Sequence, residues 1–360
     1  MSGTFTGLTI DVGDNLGLSG GARVSGDGRY VMFTSPENGI VPDDTNNFSD
    51  VFMWDRDTST LQRITSANGN SEGLSISEDG RYVLLSSAGT NVVLGDYSGQ
   101  GGMFRWDRET GEAIRIADPY GIGSMSADGH LVVFESATDG VAGDTSDTNG
   151  KSDVFLWNAD SGTITRITDS DNHSHDPMIS ADGGTVTFWA YTSHDVPDDT
   201  NQEWDVFVWD VATETTTRVT DGNGDSVDPT ISGDGRYVAF YSEATNLVAG
   251  SGLSGMFVWD RQTGLASRIP ISGSYPVISA DGSQVVFIKP GGQGLDVHVW
   301  DATTGATTNI TQGNHDSGGV SQSTDGSVIA FWSEASDLVP ELPPADVGWT
   351  DDVFVWQRDR

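Results

Sequence analysis

Three short acidic segments combine the side chains and the spacing that hard cations prefer. Each reads Asp-Thr-Asn, then three further residues, then Asp. Carboxylate and amide oxygens two residues apart, followed closely by another carboxylate, can converge on a calcium ion. The same side chains can instead form Asx turns that close a loop without any metal. The candidate metal ligands are Asp44, Asn46, Asp50, Asp147, Asn149, Asp153, Asp199, Asn201 and Asp205.

Histidine, tyrosine and carboxylate side chains suggest a second kind of site. Imidazole can bind a transition metal or act as an acid and a base. A neutral histidine in a polar loop more often serves only as a hydrogen-bonding group. The catalytic candidates are His173, His175, His315, Tyr275 and Tyr120. The neighbouring carboxylates assigned to ligand binding are Asp176, Asp225, Asp228 and Asp316.

Four tryptophans stand apart from the regular pattern of the chain: Trp189, Trp204, Trp332 and Trp349. Exposed indoles beside carboxylates and amides form stacking platforms for sugar rings or for hydrophobic parts of a protein partner. The alternative is that they pin loops down onto neighbouring structure. Calcium is the only cofactor that the sequence suggests, because it contains no phosphate-binding loop and no nucleophile or zinc motif.

The charge of the chain restricts its partners. Asp and Glu total 53 against 17 Lys and Arg, so the net charge is −36. Such a field repels nucleic acid and anionic membranes and favours cations and cationic partners, although adaptation to high salt gives the same composition. No apolar run is long enough to span a bilayer, so no membrane insertion is expected. There is no cysteine, which excludes disulfides and thiolate chemistry.

The compartment is left open by the sequence. Residues 1–10 lack a basic region followed by an apolar one, so no secretion signal is recognised. We predict either a secreted or periplasmic protein whose signal has been removed, or a cytoplasmic protein of a salt-adapted organism.

A repeat of about fifty residues must position these side chains. Each copy has an Asp-Gly turn, a strand of alternating apolar residues, a variable stretch and a second strand that ends in Trp. Asp-Gly between such strands is a strong hairpin signal, because glycine accepts the positive φ of a tight turn. The Asp-Gly pairs begin at Asp27, Asp79, Asp128, Asp182, Asp234, Asp281 and Asp325. Repeated four-stranded sheets pack most economically as blades, so we predict an all-β, seven-bladed β-propeller.

The two ends of the chain predict how the ring closes. The last copy stops shortly after Trp356 and lacks its fourth strand, while residues 2–9 read like the fourth strands of other copies. Residues 2–9 should therefore complete blade seven and remove an exposed sheet edge. We predict one domain over residues 1–360, with blades beginning near residues 20, 72, 121, 175, 227, 274 and 318.

The recurring arginines and one histidine have structural interpretations. Arginines recur on the predicted fourth strands, where they are expected to pair with aspartates: Arg63, Arg115, Arg166, Arg218 and Arg268. His298 replaces the Phe of the strand motif and is expected to be a core histidine with its hydrogen bonds satisfied.

The repeat resembles the TolB-like, WD40-like (PD40) family of propeller repeats. The resemblance is carried by segments such as ISGDGRYVAFYS and DVFVWD, and it covers nearly the whole chain. Known functions in that family range from partner-binding scaffolds to propellers attached to peptidases and polysaccharide lyases, so the motif predicts fold better than activity. We predict a non-enzymatic scaffold whose long, acidic, Trp-bearing loops bind a protein or glycan. The alternative is a polysaccharide lyase-like enzyme with a His and Tyr site.

Overall fold

The computed structural model describes residues 3–11, 21–92, 101–117, 121–138, 141, 149–191, 201–250, 252–338 and 352–359, with the backbone only for 6–11. This part of the chain forms 28 strands and no helix. None of its residues therefore forms a helix that could cross a membrane. The strands make seven four-stranded antiparallel sheets, which confirms the predicted all-β, seven-bladed fold class.

The strands follow the chain in simple order. They are β1 (Gly3–Asp11), β2 (Arg23–Val24), β3 (Tyr30–Ser35), β4 (Asp50–Asp55), β5 (Thr60–Arg63), β6 (Ser71–Ile76), β7 (Tyr82–Ser87), β8 (Gly102–Asp107), β9 (Ala113–Ala117), β10 (Gly123–Met125), β11 (Leu131–Ser136), β12 (Asp153–Asn158), β13 (Ile164–Arg166), β14 (Ser174–Ile179), β15 (Thr185–Ala190), β16 (Asp205–Asp210), β17 (Thr215–Arg218), β18 (Ser226–Ile231), β19 (Tyr237–Ser242), β20 (Gly255–Asp260), β21 (Leu265–Arg268), β22 (Ser274–Ile278), β23 (Gln284–Pro290), β24 (Leu295–Asp301), β25 (Thr307–Asn309), β26 (Ser317–Gln322), β27 (Val328–Ser333) and β28 (Asp352–Arg358). Blades 1 to 6 each take four consecutive strands starting at β2, and blade 7 consists of β26, β27, β28 and β1.

The chain divides into two compact units. One comprises Met1–Tyr120 with Val286–Arg360 and includes blades 1, 2 and 7, and the other comprises Gly121–Val285 and includes blades 3, 4 and 5. The division falls within strand β23 of blade 6. The single domain over residues 1–360 stays a prediction.

The Asp-Gly turn of blade 1 shows how the repeat motif closes a hairpin. Gly28 has φ of +75°, and its N–H donates to the Ser25 carbonyl at 2.8 Å. The Asp27 carboxylate accepts the Ser25 hydroxyl at 2.5 Å and the Arg29 N–H at 2.9 Å. The turn therefore satisfies its own polar groups, as an Asx turn should.

The core of a blade is a pair of stacked rings on its second and third strands. Phe33 and Phe52 lie 5.4 Å apart in blade 1, and Phe188 and Phe207 lie 5.6 Å apart in blade 4. These four rings are at most 1% exposed. Burial of such rings accounts for the Phe in the repeat motif, since each contributes a large apolar area to the core.

His298 takes the place of the second ring in blade 6. It stacks on Phe287 at 5.5 Å and is 8% exposed, so its predicted core position is correct. The prediction that it is satisfied is wrong, because its Nε2 has no hydrogen-bond partner among the described residues. Burial lowers the pKa of His298, which keeps the ring neutral.

Strand β1 completes blade 7, as the ends of the sequence predicted. It pairs antiparallel with β28, from Gly3 opposite Arg358 to Leu8 opposite Val353. The backbone hydrogen bonds of this pair join the two ends of the chain within one sheet, so β28 has no open edge.

Candidate functional site

The second compact unit brings polar and aromatic side chains from blades 3, 4 and 5 together. We call this group the blade 4 cluster. Its members are Glu135, His173, His175, Asp176, Trp189, Tyr191, Trp204 and Asp228. Glu135 lies on β11, Asp228 on β18, and the others on or beside β14, β15 and β16.

A β-bulge in the first strand of blade 4 presents Asp176 to the cluster. The register of β14 and β15 shifts between His175 and Met178, so Asp176 and Pro177 form the bulge. Asp176 has φ of +47°, an uncommon value for a non-glycine residue and a costly one at about 1–3 kcal/mol. The following proline also disfavours helical backbone at this position.

The same backbone feature recurs in the next two blades. Asp228 and Tyr275 each precede a proline on the first strand and have φ of +53°. The first strands of blades 4, 5 and 6 thus each hold one residue in the same strained backbone conformation, with positive φ. Strain of this kind persists only where surrounding structure enforces it, and it is commonest at functional sites.

Glu135 and Trp189 fix the two polar residues of the bulge. The Glu135 carboxylate lies 3.3 Å from His175 Nδ1 and accepts the Asp176 N–H at 3.1 Å. Trp189 Nε1 donates to the Asp176 carboxylate at 2.7 Å. Glu135 raises the pKa of His175, because the hydrogen bond and the negative charge both favour imidazolium.

The two histidines of the cluster are held in different states. His173 and His175 stack 5.5 Å apart with an interplanar angle of 8°. His173 Nδ1 accepts the Ser152 N–H at 3.0 Å, which requires an unprotonated nitrogen there. Burial lowers the pKa of His173, and Lys151 and His175 add to the effect. Only His175 is therefore placed to carry a charge near neutral pH.

Aromatic rings surround this polar pair. His175 lies 4.8 Å from Trp189 and 5.7 Å from Trp204, and the two indoles meet edge to face at 4.7 Å. Tyr191 adds a further edge contact to Trp204 at 5.4 Å. All of these side chains are half-buried, so each keeps some surface in contact with solvent.

Asp228 adds a second half-buried carboxyl. Burial and the neighbouring Asp176 charge raise the pKa of Asp228 to about 6. Burial also raises the pKa of Asp176, although the Trp189 hydrogen bond opposes this. The cluster can therefore gain or lose protons and negative charge over the mildly acidic range.

The structure places several of the sequence candidates on first strands. His175 and Asp176 lie on β14, and Asp228 lies on β18. Tyr275 lies on β22, is 42% exposed, and makes no hydrogen bond or ring contact with the histidine pair among the described residues.

Other candidates have structural roles or are not described. Asp225 accepts the Trp204 N–H at 3.0 Å, and Asp316 accepts the Leu295 N–H at 2.7 Å, so both close loops. His315 belongs to the other compact unit. Tyr120 and Trp349 lie outside the described residues, as do Asp147 and Asp199.

Trp332 differs from the exposed platform that the sequence predicted. It is 6% exposed, and its Nε1 has no hydrogen-bond partner among the described residues. It lies opposite Gly318, just as Trp189 lies opposite His175. The next residue is Gly319 in place of Asp176, so no carboxylate is available to accept the indole N–H.

The first of the predicted metal segments has an arginine beside its carboxylates. Arg63 contacts Asp50 at 2.7 Å and Asp44 at 3.5 Å. Asn46 directs its amide nitrogen to Asp50 at 2.9 Å, while its oxygen accepts the Phe48 N–H at 3.0 Å. The segment therefore has the contacts of an Asx turn closed by an ion pair.

The third-strand aspartates of blades 3 and 4 are paired in the same way. Arg166 contacts Asp153 and Arg218 contacts Asp205, both at 2.6 Å. The asparagine nitrogens of these segments, Asn149 and Asn201, donate to backbone carbonyls at 2.9 and 3.0 Å. Within the described ranges no group of three or more His, Cys, Asp or Glu is arranged to hold a metal ion. Calcium binding stays a prediction.

The predicted arginine pairing holds in blades 1, 3 and 4 and is wrong for blade 5 among the described residues. Arg268 of blade 5 donates to the Ser254 carbonyl at 3.0 Å, because Gly255 occupies the position of the aspartate. Arg115 of blade 2 donates to the Gly101 carbonyl at 3.1 Å, and Gly102 occupies that position there.

Sequence reasoning missed Glu135 and Tyr191. Glu135 lies on the second strand at a position where the other blades have Thr34, Ser86, Trp189, Tyr241, Ile288 or Trp332. Variation at this one position of a regular repeat was the available signal. Tyr191 had no comparable signal, since it lies just after the second strand, where the copies of the repeat diverge.

Comparison with solved structures finds similar chains at low sequence identity. An oligogalacturonate lyase in complex with manganese is 14% identical, with a TM-score of 0.63 over 99% of this chain and 98% of that one. The β-propeller domain of the Trilobed protease from Pyrococcus furiosus is 11% identical, with a TM-score of 0.61 over 93% of each chain. A putative TolB from Agrobacterium tumefaciens is 18% identical, with a TM-score of 0.50 over 86% and 98%.

These similarities establish the fold. The chain is a seven-bladed β-propeller, the fold that its resemblance to TolB-like repeats implied. No protein-family model and no curated protein matches its sequence. A shared propeller fold does not transfer an activity, so function must be argued from the site.

Proposed function

We propose that this propeller is a non-enzymatic binding protein whose blade 4 cluster holds a basic segment of a protein partner. The proposal is supported by one arrangement, in which Asp176 accepts from Trp189 and the Trp189 ring meets Trp204. Glu135 contacts the Asp176 backbone, and Asp228 adds a carboxyl whose charge interacts with Asp176. Lysine and arginine side chains are bound by such combinations, because carboxylates attract the charge and indole faces attract the cation.

The charge of the whole chain acts in the same direction. A net charge of −36 attracts a cationic partner before contact and speeds association at low salt. The same net charge disfavours anionic polysaccharides. Among the described residues, Lys151 is the lysine whose charge acts on the cluster, through His173. Rigid backbone supports the site, because the bulge holds Asp176 on a strand instead of a loop.

Peptide titration tests this function. Lys- and Arg-containing peptides should quench or shift the tryptophan fluorescence of the wild-type protein, and the effect should weaken as salt rises. Trp204→Ala and Asp176→Asn should each weaken binding by about tenfold or more, as expected for central aromatic and charged contacts. Trp332→Phe is the matched control and should bind normally, because Trp332 is buried in another sheet.

Two results would overturn the proposal. One is equal binding by the wild type and Trp204→Ala, and the other is binding of neutral glycans with no response to basic peptides. The second result would favour the glycan-binding form of the scaffold function.

A second candidate function is a carbohydrate-active enzyme of lyase type. His175 paired with Glu135 resembles an acid or base held by an orienting carboxylate, and the raised pKa of Asp228 is typical of active sites. The fold likeness to an oligogalacturonate lyase adds support at the level of fold only. Release of unsaturated oligogalacturonate products by the wild type, but not by His175→Ala, would establish this alternative.

A further inference from the structure

Blade 6 contains a polar cavity that the proposed function does not use. The cavity has a volume of about 360 Å³ and lies in the first compact unit. We call it the blade 6 cavity. Its polar lining is Gln293, Asp296, Asn309, Gln312, Asn314 and Asp337.

Asp296 occupies a position that is paired with arginine in other blades. The first residue of the third strand is Asp50, Asp153 or Asp205 in blades 1, 3 and 4, and each contacts an arginine thirteen residues later at 2.6 to 2.7 Å. These three aspartates are fully buried, so the arginine neutralises a charge that water cannot reach.

Asn309 replaces this arginine in blade 6. Its amide nitrogen donates to Asp296 at 2.9 Å, and the Thr311 hydroxyl donates at 3.3 Å. Asp296 is only 5% exposed, and no Lys, Arg or His nitrogen forms a salt bridge with it within the described residues. The carboxylate is therefore hydrogen-bonded to neutral groups and forms no ion pair among the described residues.

The loop that covers the arginine elsewhere is also shortened in blade 6. In blade 1 the loop from 36 to 49 lies over the ion pair, and the Asp43 carbonyl accepts from Arg63 at 2.9 Å. In blade 6 only residues 291–294 connect β23 to β24, and Gly291 N donates to the Gly294 carbonyl at 2.6 Å. A side chain on Gly291 would collide with the Asp296 carboxylate.

Both changes occur beside the cavity. One replaces the arginine by asparagine, and the other replaces a long loop by the short connection 291–294, in which Gly291 lies against the Asp296 carboxylate. Gln312 lies where blades 3 and 4 have Asp169 and Asp221, which contact their arginines at 2.9 and 3.2 Å. The surroundings of a bound guanidinium are thus largely retained, with oxygen acceptors from Asp296, Gln312 and the amides of the lining.

We propose that the blade 6 cavity binds a guanidinium group supplied by another molecule, with Asp296 as its counter-ion. A planar guanidinium suits this site because it donates two parallel hydrogen bonds to one carboxylate and further bonds to amide oxygens. An arginine side chain of a partner and a small guanidinium compound share this chemistry. The site is independent of the blade 4 cluster.

Calorimetric titration with agmatine and with N-acetyl-arginine amide tests the proposal on the full chain. The wild type should bind at millimolar concentration or below. Asn309→Arg restores the residue of the other blades, so it should melt at a higher temperature and bind agmatine about tenfold more weakly or not at all. Preference for the arginine amide over agmatine would indicate a peptide source, and the reverse would indicate a small compound.

Further variants make the result specific. Asp296→Asn should also lose binding. Every titration is repeated in a Trp204→Ala background, which removes the basic-group binding proposed for the blade 4 cluster, and the blade 6 binding should remain there. Methylammonium at the same concentration should bind more weakly, since it lacks the planar fork. The proposal is overturned if the wild type does not bind, if Asn309→Arg binds as the wild type does, or if calcium binds at Asp296 while agmatine does not.

Discussion

Blades 4 and 6 have an aspartate at the same position near the start of the third strand, but the groups around that aspartate differ. Asp205 in blade 4 is fully buried and paired with Arg218 at 2.6 Å. Asp296 in blade 6 accepts hydrogen bonds only from the neutral side chains of Asn309 and Thr311, at 2.9 and 3.3 Å, and lines a cavity. The comparison shows that the same aspartate position is paired with an arginine in one blade and with neutral groups alone in another.

The two blades also differ at their first strands. Blade 4 has Asp176 in its bulge, held by Trp189 and neighbouring Glu135, whereas blade 6 has the exposed Tyr275 at the corresponding position. Blade 4 therefore departs from the repeat on its first strand, at Asp176, and blade 6 departs from it on its fourth strand, at Asn309. Departures from the repeat, not the repeat itself, locate both candidate sites.

Removing the arginine of blade 4 should have the largest effect. Arg218→Asn removes the cation beside the buried Asp205 carboxylate, which costs about 3–5 kcal/mol. We expect the free energy of unfolding to fall by that amount and the melting temperature to fall by roughly 5–10 °C. Urea unfolding measures the first quantity, and calorimetry measures the second.

The reciprocal change in blade 6 sharpens this prediction. Asn309→Arg should raise the melting temperature, because it supplies the missing cation to Asp296. If Arg218→Asn were neutral, or Asn309→Arg were destabilising, the two aspartates would not be equivalent and the comparison would fail.

Loss of an indole N–H should have a smaller effect that differs between two sheets. Trp189→Phe removes the donor to Asp176 and should cost about 1–3 kcal/mol of unfolding free energy. Trp332→Phe removes a buried N–H that has no acceptor among the described residues, so its cost should stay within about 1 kcal/mol. Equal costs in urea unfolding would contradict the different roles assigned to these tryptophans.

The carboxyl pair of the blade 4 cluster predicts a dependence of stability on pH. The pKa of Asp228 is about 6 in the folded protein, above the unfolded value of about 3.9. The folded state therefore binds more protons between these values, and this contribution to stability is lost as pH rises through 6. His175 loses its stabilising charge at higher pH, because its pKa is also raised, whereas His173 acts in the opposite direction.

Asp228→Asn isolates one part of this behaviour. The variant cannot ionise at that position, so its melting temperature relative to the wild type should increase as pH rises from about 4 to about 7. A difference that does not change with pH would show that Asp228 ionises normally.

Calcium should have the smallest effect. Arg63 and the Asn46 amide nitrogen already contact Asp50, and Arg166 and Arg218 play the same role for Asp153 and Asp205. We expect the melting temperature to be unchanged by added calcium and by chelator. A rise with calcium that chelator reverses would favour the metal interpretation of these segments.

Much of the fold followed from local patterns in the sequence. Asp-Gly turns, alternating strands and the terminal Trp of each third strand predicted seven sheets, and the missing last strand predicted the pairing of β1 with β28. These features depend on backbone geometry and on neighbours in sequence, which a repeat displays directly. The site was predicted less completely, since His175 and Trp189 were named but Glu135 was not.

Sequence alone was sufficient for the number of blades and their order, because both rest on short-range turn chemistry and a two-residue strand period. It was also sufficient for the closure of blade 7, because the last copy lacks a fourth strand and residues 2–9 read like one. Only the tertiary structure could decide that Trp189 has an acceptor and Trp332 has none, that Glu135 meets His175 forty residues away, and that Asp296 opens into a cavity. These outcomes depend on which side chains of adjacent strands and sheets come together, and a one-residue difference such as Gly319 for Asp176 changes them without altering the repeat.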